Sequence, residues 1–187
     1  MFSASDFDKA ITSAREQLQS VQRALQKIRC PAIESLTVKL LDLSQEYIEA
    51  VLANVPTGYG KKDIGIDYIY VIQVSDERFD FVGKLSERLE EARKDAKDYP
   101  RLNREHLLTN TLYVGRSRTL RARLRQHFGN DHKGIYSLHF QRWATSIDAD
   151  ISVIFMKFSE AGNLLVQAVE DGLWASLKPA FGRKGER

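Results

Sequence analysis

The chain has 187 residues, 43% of them apolar and 10% aromatic, which is enough to bury a core and excludes a disordered class. No apolar run approaches the ~20 residues needed to span a bilayer, and the opening MFSASDFDKA lacks the apolar stretch of a secretion signal. Cys30 is the only cysteine, so an intrachain disulfide and a cysteine-based zinc site are excluded, and the expectation is a cytoplasmic protein with no membrane partner. The net charge of +3 is small, but its distribution is uneven. Residues 111–187 hold 12 Lys and Arg against 7 Asp and Glu, with Arg116, Arg118, Arg121, Arg123 and Arg125 crowded together. Clusters of that kind hold phosphates, although most charge runs are only a solvated helix face.

In chain order, Phe7, Ile11, Ala14, Leu18, Val21, Leu25 and Ile28 step as a heptad seam and predict a first helix. Ser5 with Asp8 is the expected capping pair at its start. Cys30-Pro31 ends the helix, because proline disfavours helical backbone in the residue before it. A second seam, Leu36, Leu40, Leu43, Tyr47 and Ala50, predicts a partner helix and hence an N-terminal helical hairpin over residues 1–56. Such a hairpin presents apolar surface to the rest of the chain, to a second copy as a homodimer, or to a protein partner. Residues 57–66, which overlap the glycine-rich stretch PTGYGKKDIG at 56–65, read as a linker.

Residues 67–74 (DYIYVIQV) read as a strand, followed by an inserted helix at about 79–98 with Val82, Leu85, Leu89, Ala92 and Ala96 on one face. Thr111–Gly115 is a second strand, about Thr119–His127 a basic helix, and Ser137–Thr145 a short helix. Residues 151–158 (ISVIFMKF) form a third strand, and Asn163–Leu177 a last helix closed by Lys178-Pro179. On the basic helix Leu120, Leu124 and Phe128 form the buried stripe, with Arg123 and His127 at its margin and Arg121 and Arg125 nearer solvent. Glu170 lies likewise beside the stripe of Leu165, Val169 and Leu173. Tyr68 and Tyr70 share one strand face. Tyrosines, an arginine, a histidine and a carboxylate are parts that phosphodiester hydrolysis uses, yet each has an ordinary structural reading when taken alone.

In order and spacing, these residues resemble the GIY-YIG nuclease family across residues 67–187. Tyr68-Ile69-Tyr70 looks like the GIY element and Tyr113-Val114-Gly115 like the YIG element. Arg123 follows Tyr113 by ten residues, and His127 follows by four more. Glu170 corresponds to the glutamate near the start of the last helix, and Leu177-Lys178-Pro179 to the segment after it. Gly134-Ile135-Tyr136 spells the first element literally, but it follows the second and is a chance match. The resemblance implies an α+β fold, with a small, mainly antiparallel three-stranded sheet flanked by helices beside the N-terminal hairpin. It also implies a DNA endonuclease using one divalent metal, Mg²⁺ or Mn²⁺, bound by Glu170. Tyr70, Tyr113, Arg123, His127 and Glu170 would be catalytic, with either tyrosine activating water. Arg116, Arg118, Arg121, Arg125 and Lys178 would contact DNA phosphates.

The chain departs from the family at three points. Tyr68 replaces the first glycine, Tyr70 and Tyr113 stand 43 residues apart because of the inserted helix, and Gly182 occupies the place of the family's asparagine. The last departure leaves a second reading open, a DNA-binding or regulatory module that keeps the fold with weakened catalysis.

Overall fold

The computed structural model describes residues 2–58, 65–75, 80–94, 99–106, 108–129 and 136–185. Its elements are α1 (Ala4–Lys27), β1 (Ile33–Lys39), α2 (Gln45–Leu52), β2 (Ile66–Val74), α3 (Asp80–Ala92), β3 (Thr111–Ser117), α4 (Leu120–Phe128), α5 (Phe140–Trp143), β4 (Asp150–Ser159) and α6 (Asn163–Leu177). The strands form one antiparallel sheet in the order β1-β4-β2-β3. The architecture is α+β, with four strands where the sequence led us to expect three.

The extra strand takes the first part of the expected second helix, while the last part, with Tyr47 and Ala50, is helical as α2. In β1, Leu36 and Val38 turn inward while Glu34, Ser35, Thr37 and Lys39 face solvent, largely the alternation of a half-buried strand. β1 pairs with β4 from Ile33↔Met156 to Lys39↔Asp150, covering an edge that would otherwise expose unpaired backbone groups. The Leu36–Leu40–Leu43 spacing that suggested a helix instead spans this strand, a turn of 3₁₀ helix at Leu40–Asp42 and the residue after it.

α1 is a single helix in which no residue is buried. Its cap is Ser3 with Asp6, two residues before the expected pair, and both halves of the capping box are formed. Phe7 and Leu18 of the seam are 56% and 69% exposed, and Ile28, just past the helix, packs against the smaller buried cluster that includes Val166 of α6.

The two faces of the sheet are clothed differently. Tyr68, Tyr70 and Ile72 of β2 face the main core with Val82, Leu85 and Leu89 of α3 and the stripe Leu120, Leu124 and Phe128 of α4. Ile69, Met156 and Phe158 face Val166 of α6 in a smaller cluster. α3 carries the inserted-helix face as expected, although Phe79 and residues 95–98 lie outside the described residues, as do linker residues 59–64 and Gly134-Ile135. Among the described residues, no helix is long and apolar enough to cross a membrane.

Candidate active site

The site begins at the middle of the sheet. β2 lies between β4 and β3, and Tyr70 sits opposite Gly115 in the β2–β3 register. A Cβ at Gly115 would come within 2.6 Å of Tyr113 Cε1 and 2.7 Å of Tyr70 Oη, so glycine is the residue that admits both rings. The two rings stack with centroids 6.0 Å apart, and the His127 imidazole stands 4.7 Å from the Tyr113 ring.

Behind the rings lies a buried hydrogen-bond chain. The Leu138 backbone N–H donates to His127 Nδ1 over 3.1 Å. Neutral His127 therefore carries its proton on Nε2 and donates it to Tyr70 Oη, 2.8 Å away. Burial depresses the His127 pKa well below the usual histidine value, and the charges of Arg123 and His139 push it the same way. Burial likewise raises the Tyr70 hydroxyl above the ordinary tyrosine range; Tyr113 adds to that shift and Arg123 opposes it. Both groups are neutral at working pH. Sequence placed His127 at a core margin, but it is fully buried because the 136–138 segment closes over α4.

Arg123 links this interior to the surface. Its Nε donates to Tyr70 Oη at 3.4 Å, Nη1 to Gln126 Oε1 at 3.0 Å and Nη2 to the Tyr136 carbonyl at 2.8 Å. It lines a cleft of about 790 Å³ together with Tyr113, Glu170 and Gly182. Glu170 approaches from the opposite side of edge strand β3: its Oε2 is 3.8 Å from Arg116 Nε, and Arg116 also donates to the Asn163 carbonyl at the start of α6. Tyr113, Arg123 and Glu170 thus meet in one cleft, and Tyr70 and His127 stand in the wall behind Arg123.

The basic residues singled out from sequence fare unequally. Arg116 is engaged with Glu170. Arg121 donates to the Ala53 and Val55 carbonyls at the end of α2, at 2.6 and 2.7 Å. Arg125 grips both carboxylate oxygens of Glu49 on α2 at 2.6 Å, and that partner holds the Glu49 pKa below the usual carboxylate value. These two arginines are nearer solvent than His127, as expected, but they are spent on tying α2 to α4. Arg118, 69% exposed with Asp67 beside it at 3.6 Å, and Lys178, at the left-handed cap of α6, do reach solvent.

Sequence did not single out Arg93 or Arg101, which line the cleft with Arg183 and Lys184. No periodicity marks them, because they come from a helix end and an irregular segment. Gly182 also has a structural explanation. Its φ is +94°, and a Cβ there would meet Tyr113 Cε2 at 2.7 Å.

Residues 104–181 match the family model of the GIY-YIG catalytic domain, in the C-terminal part of the chain. The match takes in Tyr113, Arg123, His127 and Glu170, while Tyr70 on β2 falls before it. No curated protein and no solved structure matches the chain. A GIY-YIG domain is in general a nuclease domain.

Proposed function

We propose that the chain is a DNA endonuclease that hydrolyses phosphodiesters with one divalent cation. The observation that supports this most is the convergence of Tyr113, Arg123 and Glu170 on one cleft from β3, α4 and α6. Among the described residues no three His, Cys, Asp or Glu side chains cluster as a metal site, and Glu170 is the one acid lining the cleft. A single carboxylate suits Mg²⁺ or Mn²⁺, hard cations that keep most of their waters and take substrate oxygens as further ligands. Bound there, the cation would supply charge neutralisation at the phosphate and a more acidic water.

The chain's own groups divide the remaining work. Arg123 is the cation for the scissile phosphate, positioned by the three bonds that fix its guanidinium. Tyr113 lines the cleft and orients the attacking water, whereas Tyr70 is fully buried and holds Arg123 from behind. Neutral His127 fixes Tyr70 by donation from Nε2.

Conversion of supercoiled plasmid to nicked or linear forms with Mg²⁺ or Mn²⁺, lost in Glu170→Ala and Arg123→Ala, tests this reading. DNA binding without conversion by the natural protein would instead support the binding module with weakened catalysis. The observation that bears on that alternative is Gly182, which offers only backbone where the family has an asparagine amide.

A further inference from the structure

The arginines that stand out in sequence and the cations that gather in space are different sets. Arg116, Arg121 and Arg125 are committed to Glu170, the end of α2 and Glu49. The cleft instead carries Arg93, Arg101, Arg183 and Lys184 around Arg123, with Glu170 the one acid lining it among the described residues. Among the described residues none of Arg93, Arg101, Arg183 and Lys184 has a carboxylate within ion-pair distance, and Arg101, Arg183 and Lys184 come from two segments that the fold holds side by side. Gathering like charges without counter-charges is unfavourable unless an anion occupies the space between them.

The frame that holds them is specific. Leu102 and Phe181 form an isolated antiparallel bridge. Beside it the Gly182 N–H donates to the Arg101 carbonyl and the Asn103 N–H to the Ala180 carbonyl, each over 2.8 Å. Asn103, 2% exposed, spends its side-chain amide on the carbonyls of Pro179 (2.9 Å) and Gly182 (3.1 Å). The turn after α6 is thereby clamped next to residues 101–103, which sets Arg101 opposite Arg183 and Lys184.

We propose that this wall is the track for the DNA backbone. Arg101, Arg183 and Lys184 take phosphates flanking the one at Arg123, and Asn103 is the positioning residue that holds the track in shape. The identity of the anion rests on the nuclease reading; the location of the site does not.

The test is fluorescence anisotropy of the full chain with a labelled DNA duplex in EDTA, titrated with salt. Each phosphate contact contributes close to one unit of the slope of log affinity against log salt. Arg101→Gln, Arg183→Gln and Lys184→Gln are each expected to weaken binding about 3–10-fold and to lower the slope by about one. Asn103→Ala is expected to lower affinity and slope together, while Arg125→Gln leaves the slope intact. Unchanged slopes in the three wall variants, or a natural protein that does not bind the duplex at low salt, would overturn the proposal. Because no metal is present, absence of cleavage in the plasmid assay leaves this result readable, so the two readings fail separately.

Discussion

Replacing Gly182 probes the packing of the site directly. Its φ of +94° lies where an L-residue is strained, at a cost of ~1–2 kcal/mol, and any Cβ would sit 2.7 Å and 3.0 Å from two carbons of the Tyr113 ring. Ordinary contact requires about 3.4 Å or more, so the ring or the turn must move by several tenths of an ångström, adding ~1–3 kcal/mol of overpacking. For a chain of this size each kcal/mol lowers Tm by about 2–4 °C, and Gly182→Ala is expected to melt about 5–15 °C below the natural protein. Gly182→Asn shares the Cβ but tolerates positive φ better, so it should lie between the two. If the collision dominates, the two variants will melt together. Both should cleave more slowly, because a ring shift moves the Tyr113 hydroxyl and misplacement of ~1 Å costs about 10²-fold. Thermal unfolding followed by circular dichroism, with plasmid cleavage on the same samples, measures both effects. A Gly182→Ala protein that melts with the natural one, or a Gly182→Asn protein that cleaves faster, would refute the reasoning.

Other consequences are open to direct measurement. With its folded pKa depressed, His127 binds fewer protons when folded than when unfolded, so stability falls as pH drops below the unfolded value of about 6.5; urea unfolding at pH 7.5 and 5.5 should show about 1.4 kcal/mol of loss that His127→Gln lacks. Arg121→Ala removes bonds to two carbonyls at the end of α2 and should cost about 1–2 kcal/mol in denaturant unfolding without changing the salt slope of DNA binding. The exposed seam of α1 should make the protein associate as concentration rises, and Leu18→Glu should return it to monomer in light scattering; a monomer at every concentration would count against that.

What sequence made legible, and what it did not, follows from where each signal resides. β2, β3, β4 and α6 were readable because their residues carry the period of their own element, and α6 begins and ends where its stripe and Lys178-Pro179 indicated. β1 was misread because Leu36, Leu40 and Leu43 fit a helical step by coincidence, and only pairing with β4, more than a hundred residues away, selects the strand. The order of Tyr70, Tyr113, Arg123, His127 and Glu170 pointed to one site because these residues sit on regular elements. Arg93, Arg101 and Asn103 carried no such mark. Arg93 lies just past the end of α3, and the placement of Arg101 and Asn103 depends on the bridge between residues 102 and 181 and on bonds to the turn after α6, which are contacts between distant segments without periodic pattern.

The same long-range ties determine what the first 58 residues do. Val38, Leu40, Leu43, Ile48, Leu52 and Val55 are all at most 4% exposed and belong to the main core with Tyr70, Leu120 and Leu124. At ~1.5–3 kcal/mol for each buried aliphatic side chain, their contribution is on the order of 10 kcal/mol, comparable to the whole stability of a typical domain at ~5–15 kcal/mol. Removing them would also bare the edge of β4 and strip Arg121 and Arg125 of their partners on α2, which brace the helix carrying Arg123 and His127. A chain beginning near Gly58 is therefore expected to be unfolded or aggregated, with no cooperative thermal transition. A chain beginning near Ile28, which lacks α1, should fold with little loss, since α1 buries none of its own residues. If the protein begun near Gly58 were a soluble monomer melting with the full chain, β1 and α2 would be an ornament on the C-terminal part of the chain, and the coupling between α2 and the Arg123 helix would be refuted.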